Sequence, residues 1–338
     1  MDIYQGVNLI KENLGGGSNA TTALCEKDGK IFYRKSALGV DAKKLYEQAI
    51  WLKEHTGNLK LTKINHIIYK QKTQKQESLC MYDMPYINHT MTCFDYVHTN
   101  SLRKSWQLVK RVLTDIDSYL HQQKRVVVLE NVIENYINKK VISNLEFIKQ
   151  ASMIQSIFRF EQIYINGRPY RNLSYYEKFL SIDFLKQIFM NDSYSDVHGD
   201  FTIENIICVR ESKQDDYYLI DPNTGNIHNS PYLDYAKLLQ SLHGGYEFLV
   251  RTQTIEISEN KIVFPVAVSK IYLQLHKKVE KWLLKKFGKE GLRSIYFHEI
   301  IHWLRLLPYK IKHDGSRALL FYCGLLMVLN DIVNKYGN

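Results

Sequence analysis

The sequence predicts an α+β fold with two lobes, in which a small antiparallel sheet with one helix precedes a mainly helical lobe. Short strands joined by turn residues fill the chain up to Pro85, and helical periodicity begins at about Thr90. A β-hairpin pattern at residues 206–220 interrupts the helices. The length of 338 residues allows two separate cores, so we divide the chain into residues 1–86 and 87–338.

The composition indicates an ordinary globular protein, with 45% hydrophobic and 24% charged residues. A formal net charge of +10 would suit a polyanionic partner. The lysines, however, are spread along the chain in pairs, without the interleaved aromatic residues of a nucleic-acid module. We therefore expect solvated helix faces and no nucleic-acid partner, although the charge also suits an anionic nucleotide.

The cysteines and the apolar segments bear on the location of the protein. The five cysteines are odd in number and widely spaced, with no zinc-binding pair, which predicts buried free thiols in a reducing cytoplasm. The polar stretch Met1–Asn13 lacks the apolar core of a signal peptide. The longest apolar run, Ala318–Leu329, is too short to cross a bilayer, so we expect a buried terminal helix and no membrane insertion.

The first lobe is predicted to begin with a strand, a glycine turn and a hairpin. The segments in chain order are a strand at Val7–Leu14, the turn Gly15, Gly16, Gly17 and Ser18, and strands at Thr21–Glu26 and Lys30–Ala37. Asp28-Gly29 is a strong signal for a two-residue hairpin turn. Asp41–His55 has helical periodicity.

Two further strands, Ile64–Lys70 and Ser78–Met84, complete the predicted first lobe. Pro85 ends the strand pairing and starts a connector. We predict a hinge between the lobes at Met81–Tyr86, and we place Met84 among the nucleotide-contacting residues.

The second lobe is predicted to contain long helices at Trp106–Gln122 and Val126–Phe160, then a hairpin, then helices to the end of the chain. The apolar run Ile206–Val209 is typical of a buried strand. Its hairpin partner is predicted at Tyr217–Ile220, which ends where Asp221 begins.

The most informative motif runs from His198 to Asn205, with a second acidic residue at Asp221. An Asp at the start of such a loop can orient an attacking hydroxyl and accept its proton. An Asn five residues later and a subsequent Asp can hold Mg²⁺ against nucleotide phosphates. We therefore predict Asp200 as the catalytic base and Asn205 and Asp221 as metal ligands.

This motif resembles the protein-kinase-like superfamily, and within it the aminoglycoside phosphotransferase and choline kinase branch. Gly199 stands where protein kinases carry Arg, Thr202 where they carry Lys, and Asp221-Pro222-Asn223 replaces Asp-Phe-Gly. The resemblance implies an ATP- and Mg²⁺-dependent kinase that phosphorylates a hydroxyl group of a small molecule. Because Thr202 carries no charge, another cation must replace the missing Lys, and the resemblance does not identify it.

The resemblance also implies roles for residues outside the motif. The turn from Gly15 to Ser18 would approach the phosphates closely, and Lys35 would bind them while paired with Glu47. Arg34 and Glu54 are the alternative members of that pair. His198 and Asp234 would support the catalytic loop.

The acceptor is predicted to bind among the helices of the second lobe, and sugars, amino sugars, choline and aminoglycosides are all compatible with the resemblance. The carboxyl-terminal segment is rich in basic residues, which favours a neutral or anionic acceptor such as a sugar. These residues are Arg305, Lys310, Lys312, His313 and Arg317.

A competing motif, His298-Glu299-Ile300-Ile301-His302, matches the pattern of zinc proteases. Its extended form fails, because Arg305 stands where a Gly is required and Pro308 where a third His is required. A zinc hydrolase is therefore a weaker alternative.

Two further alternatives keep the same fold. One is a catalytically inactive kinase-like scaffold, which the presence of Lys35, Asp200, Asn205 and Asp221 disfavours. The other is a protein kinase, which the missing loop Lys and the absence of an Ala-Pro-Glu segment disfavour.

Overall fold

The first lobe of the computed structural model is a five-stranded antiparallel sheet with one helix. The structure describes residues 3–12, 20–57, 59–73, 77–122, 129–211, 214–265 and 268–337. The elements of this lobe are β1 (Asn8–Lys11), β2 (Thr21–Lys27), β3 (Lys30–Leu38), α1 (Val40–His55), β4 (Asn65–Lys70) and β5 (Leu79–Pro85). The strand order is β1-β2-β3-β5-β4, and all neighbouring strands are antiparallel. The predicted α+β fold class is confirmed.

Local chemistry explains the shape of this lobe. Asp28 and Gly29 both adopt positive φ angles, 50° and 72°, as a tight two-residue hairpin between right-twisted strands requires. Helix α1 buries Ala42, Leu45, Ala49 and Leu52 at helical spacing, and it packs on β3 and β5. This apolar stripe therefore determines which face of α1 lies against the sheet.

The second lobe contains eleven α-helices and seven strands among the described residues. In chain order they are β6 (Thr90–Thr92), α2 (Cys93–Thr99), α3 (Leu102–Tyr119), α4 (Leu129–Ile137), α5 (Ser143–Gln150), α6 (Ser152–Phe158), β7 (Gln162–Ile165), β8 (Arg168–Arg171), α7 (Leu173–Tyr176), α8 (Ile182–Phe189), β9 (Ile206–Val209), β10 (Asp216–Leu219), α9 (Pro231–Leu242), α10 (Tyr246–Arg251), β11 (Glu256–Ser258), β12 (Lys261–Val263), α11 (Lys270–His313) and α12 (Ala318–Tyr336). The chain passes from the first sheet to this lobe between Pro85 and Thr90.

The predicted hairpin is present as β9 and β10, and β6 adds a third antiparallel strand. β10 also touches the segment that links α1 to β4, because Thr62 N donates to Leu219 O at 2.9 Å. This contact joins the first lobe to the hairpin that ends at Asp221.

Two predictions for the second lobe are wrong. The structure has a four-stranded sheet in the order β11-β12-β7-β8. Two of its strands precede the hairpin and two follow it, in regions where only helices were predicted. Asn166 and Gly167 form the β7–β8 turn with φ angles of 50° and 79°. The continuous helix predicted at Val126–Phe160 is divided by a π-helical turn at Asn138–Ile142 and by extended backbone at Ala151. Residues 123–128 lie outside the described part of the chain.

The core of the second lobe is formed by α9, α11 and α12. Helix α11 is interrupted at Gly288, where φ is 69° and ψ is −172°. Helix α12 extends the predicted apolar segment to Tyr336. The Gly315–Tyr336 segment is long and apolar enough to cross a membrane, but 72% of its most apolar window is buried inside the protein. It packs on α11 as a core helix. All five cysteines are buried free thiols, as predicted.

Candidate active site

The loop at His198–Asn205 begins with a turn that only glycine fits. Gly199 has a φ of 76°, and a Cβ there would lie 2.2 Å from Asn226 Nδ2 and 2.3 Å from Asn223 O. The backbone of Asn223 also donates to His198 O at 2.7 Å. The loop therefore packs directly against the segment that follows Asp221.

Asp234 lies at the first turn of α9 and holds this loop. Its carboxylate accepts hydrogen bonds from His198 N at 2.8 Å and Gly199 N at 2.7 Å. Its Oδ2 also lies 3.0 Å from His121 Nε2. Because Asp234 is fully buried, these donors compensate the cost of removing its charge from water. Its position is the one that the resemblance implies.

His198 is fully buried, and burial lowers the pKa of its imidazole. The ring is therefore neutral at neutral pH. Its Nδ1 lies 3.4 Å from the backbone N–H of Asp200, a distance suited to a weak hydrogen bond. This geometry suits a residue that positions the loop.

Asp200 faces Asn205 and Lys237. Asn205 Nδ2 donates to Asp200 O at 2.7 Å and to Asp200 Oδ2 at 3.1 Å. On the other side, Lys237 Nζ lies 3.0 Å from Asp200 Oδ1. Burial raises the pKa of Asp200, but Lys237, with a smaller contribution from Arg305, outweighs it and lowers the pKa below its ordinary value. Asp200 is therefore ionised at neutral pH.

Asp221 follows β10 and adopts a left-handed backbone conformation with a φ of 56°. Ile220 N donates to Asn205 O at 3.1 Å, which brings the end of β10 beside the start of β9. Asn205 and Asp221 thus lie at the same end of one hairpin. Their amide and carboxylate oxygens are the donor types that Mg²⁺ prefers, so the residues fit the predicted metal site.

Lys35 connects the first lobe to this hairpin. It is 3% exposed, and its Nζ donates to Asp221 Oδ1 at 2.5 Å and to Gln48 Oε1 at 3.3 Å. Gln48 also accepts from Tyr82 OH at 3.0 Å and donates to Pro222 O at 2.7 Å. One hydrogen-bond network therefore joins Lys35 of the first lobe, Gln48 of α1 and the predicted metal ligand Asp221.

The predicted ion pair between Lys35 and Glu47 is wrong. Glu47 is exposed and lies 3.8 Å from Lys43 Nζ, one helical turn earlier. Successive residues of a helix are rotated by about 100°, so the residue after Glu47 faces the sheet instead. Arg34, the alternative to Lys35 as the cation of this pair, bonds instead to Asp83 through two hydrogen bonds, at 2.7 Å and 2.9 Å.

The other residues predicted to contact the nucleotide are the glycine turn and Met84. Gly15, Gly16, Gly17 and Ser18 lie outside the described residues. Met84 lies on β5 opposite Tyr33 and is 8% exposed, so most of its side chain packs in the core.

The zinc-protease alternative is wrong, because its three side chains point to different partners. His298 Nε2 lies 2.7 Å from Asp192 Oδ2, and His302 Nε2 donates to Leu233 O at 3.0 Å. Glu299 contacts His243 Nδ1 at 2.9 Å. No shared site joins the two histidines and the glutamate that this chemistry requires.

His298 belongs to a buried cluster with Asp192 and His228. Asp192 Oδ2 lies 3.0 Å from His228 Nε2 as well as 2.7 Å from His298 Nε2. The other ring nitrogens face hydroxyl groups, those of Tyr194 at 3.1 Å and Tyr136 at 3.2 Å. These are hydrogen-bond distances in a fully satisfied network, which explains the cluster as structural support between α11 and the segment before the catalytic loop.

Sequence reasoning missed Gln48 and Lys237. Lys237 follows Asp234 by three residues, which is nearly one helical turn, so both project towards the catalytic loop. That spacing was a usable signal, because a residue three positions after a loop-holding Asp shares its face of α9. Gln48 carried no comparable signal.

Comparison with known proteins supports the fold. The sequence matches no protein-family model and no curated protein. A thermostable mutant of the aminoglycoside phosphotransferase APH(4)-Ia, in its apo form, superposes with a TM-score of 0.60 and 12% identity, covering 96% of this chain and 95% of that chain. The GDP complex of a mutant aminoglycoside 2'-phosphotransferase IIIa has a TM-score of 0.57 and 13% identity, covering 99% and 94%.

A ternary complex of an APH(4)-Ia mutant with AMP-PNP and hygromycin B also shares the fold, with a TM-score of 0.57, 11% identity and coverage of 97% and 95%. These likenesses span nearly the whole of each chain. The protein therefore has the two-lobed protein-kinase-like fold of the aminoglycoside phosphotransferases.

Proposed function

We propose that the protein is a small-molecule kinase that transfers the γ-phosphoryl group of ATP to a hydroxyl group, with Mg²⁺ as cofactor. One observation carries the proposal: Lys35 of the first lobe bonds to Asp221, the neighbouring Ile220 N donates to Asn205 O, and Asn205 bonds to Asp200. These residue types in this arrangement suit phosphoryl transfer, which depends mainly on positioning and charge stabilisation.

On the nucleotide side, Lys35 would bind the phosphates together with the turn Gly15–Ser18. Asn205 and Asp221 would hold Mg²⁺, which supplies charge neutralisation at the phosphates when it is bound. Gln48 fixes the position of Lys35, since its amide bonds both Lys35 and the backbone after Asp221.

On the acceptor side, ionised Asp200 would accept a hydrogen bond from the attacking hydroxyl. The hydroxyl oxygen forms a bond to the γ phosphorus, and the bond from that phosphorus to the β–γ bridging oxygen breaks. ADP leaves, and the hydroxyl proton passes to Asp200. Lys237 is the cation nearest Asp200 among the described residues, at 3.0 Å, and would take the place of the loop lysine that Thr202 replaces.

The structural neighbours support this proposal. One was solved with AMP-PNP and hygromycin B, and another with GDP. The acceptor class that we propose is a sugar or amino sugar, and choline and aminoglycosides are further candidates. A cytoplasmic location is part of the proposal and is supported by five buried free thiols.

A coupled assay of ATP consumption tests the function, using sugars, amino sugars, aminoglycosides and choline as acceptors. We expect turnover with one class and a loss of about 100-fold or more in Asp200→Asn. Asp28→Asn is the matched control, because Asp28 is an exposed residue of the β2–β3 turn. Equal ATP consumption by the wild type and Asp200→Asn with every acceptor would refute the assignment and would favour an inactive scaffold.

A further inference from the structure

Three elements of the second lobe that pack on one another carry a group of basic side chains, one of which contacts Asp200. We call Lys140, Lys237, His302 and Arg305 the basic cluster. They come from three places in the chain, the π-helical turn before α5, helix α9 and helix α11. Lys237 Nζ lies 3.0 Å from Asp200 Oδ1, and an Arg305 guanidinium nitrogen lies 3.5 Å from His302 Nδ1.

The cluster has more cations than carboxylates. Lys140 and Arg305 are both partly buried, yet neither forms an ion pair with any carboxylate in the described part of the chain. Asp200 is the one carboxylate in contact with the cluster among those residues, and Lys237 already occupies it. An arginine in such a position usually pairs with an anion.

The π-helical turn that carries Lys140 packs on α11, and α11 packs on α9, so the charges of this cluster act on one another. Burial lowers the pKa of Lys140, and Arg305, Lys139 and Lys44 lower it further. Burial also lowers the pKa of His302, with added contributions from Lys237 and Arg305. Concentrating positive charge in a partly dehydrated place is unfavourable, and an anionic ligand would relieve the repulsion.

We propose that the acceptor carries an anionic group, a phosphate or a carboxylate, that Arg305 and Lys140 bind while its hydroxyl reaches Asp200. This inference rests on the proposed function and specifies its substrate class. The planar guanidinium of Arg305 suits two parallel hydrogen bonds to such a group. A cationic acceptor would meet like charge at the same place.

Binding of inorganic phosphate tests the site without turnover. Calorimetric titrations are made with Mg²⁺ and AMP-PNP at saturation, so that the nucleotide site is filled. We expect one phosphate site, which Arg305→Gln weakens roughly tenfold, as loss of one charge-assisted hydrogen bond implies. Arg168→Gln, on the exposed strand β8, is the matched control and should bind phosphate like the wild type. Absence of phosphate binding, or equal binding by Arg305→Gln, would overturn the inference.

Kinetics with matched sugars test the specificity. Glucose, glucosamine, glucuronate and glucose 6-phosphate present neutral, cationic, carboxylate and phosphate groups on similar rings. We expect kcat/KM to favour the two anions, and Arg305→Glu to shift the preference towards glucosamine. Such a reversal cannot result from partial unfolding, and the ratio of the two anions distinguishes carboxylate from phosphate.

The two proposals fail in different ways. Turnover that favours glucosamine or an aminoglycoside, unchanged by Arg305→Gln, would overturn the anionic acceptor and leave the kinase assignment intact. Phosphate binding that depends on Arg305, together with ATP consumption that Asp200→Asn does not change, would refute the kinase assignment and leave the anion site standing. A rise in KM for ATP alone in Arg305→Gln would assign the cluster to the nucleotide and overturn the inference.

Discussion

Lys35 Nζ donates a hydrogen bond to Asp221 Oδ1 at 2.5 Å, although 186 residues separate them in the chain. The lysine is buried on the central strand of the first lobe, and the aspartate ends the hairpin of the second lobe. This contact places a phosphate-binding candidate and a metal-binding candidate side by side across the lobes.

Replacing Lys35 tests that relationship. In Lys35→Met we expect kcat/KM for ATP to fall by about 100-fold, since the variant loses a positioned cation at the phosphates. Steady-state kinetics over a range of ATP concentrations measure the effect. Lys30→Met, at the exposed start of the same strand, is the control. Unchanged ATP kinetics in Lys35→Met would contradict the nucleotide assignment.

Gln48 and Glu47 offer a matched pair on neighbouring positions of α1. Gln48→Ala removes an amide that contacts Lys35, Tyr82 and Pro222, so we expect a loss of about 1–3 kcal/mol in the free energy of unfolding. Glu47→Gln should change it by less than about 0.5 kcal/mol, because Glu47 is exposed. Urea denaturation measures both, and the opposite ranking would restore Glu47 as the partner of Lys35.

Gly199 should tolerate no side chain. Gly199→Ala would place a Cβ 2.3 Å from Asn223 O at a positive φ, so we expect a destabilisation of roughly 2 kcal/mol or more and a damaged catalytic loop. Gly225→Ala is the control, because its nearest atom lies 3.9 Å away and its φ is not positive. Thermal unfolding of the two variants compares them, and similar melting temperatures would contradict the described packing.

Lys237 should determine the acidic limb of the pH–rate profile. Burial opposes the ionisation of Asp200, and Lys237 is the largest influence that lowers its pKa. Lys237→Ala should therefore raise that pKa and move the acidic limb of kcat/KM to higher pH, while Lys237→Arg keeps it nearer the wild-type position. An unmoved limb in Lys237→Ala would show that another group titrates there.

His243 should make stability depend on pH above neutrality. Burial opposes its protonation, but Glu299 and Asp331 outweigh this and raise the pKa of His243 to about 10, above the unfolded value of about 6.5. The folded state therefore binds more protons between these values. Its contribution is complete below pH 6.5 and is lost as pH rises towards 10, by at most about 1.4 kcal/mol per pH unit.

Denaturation at several pH values checks the His243 prediction. The free energy of unfolding should fall from pH 7 to pH 10 in the wild type, and His243→Gln should reduce that slope. His313→Gln, at the exposed end of α11, is the control. A slope that is the same in all three proteins would contradict the assignment.

Local sequence signals predicted much of the fold. The Asp28-Gly29 turn, the alternating strands and the apolar stripe of α1 are short-range patterns, and each appears within a few residues of its predicted place. The sheet formed by β7, β8, β11 and β12 was missed, although Asn166-Gly167 carries the same kind of hairpin signal. Long helical periodicity on both sides concealed it.

The sequence by itself determined the chemical types in the site, because Asp200, Asn205 and Asp221 occur at a spacing that a short loop and one hairpin impose. Only the tertiary structure decided which distant side chains meet them. A rotation of about 100° per residue on α1 selects Gln48 over Glu47, and the packing of α9 against the catalytic loop brings Lys237 to Asp200. The spacing of Lys237 from Asp234 is a local signal for its position, but the choice of Gln48 depends on how α1 packs on the sheet, and no local pattern records that geometry.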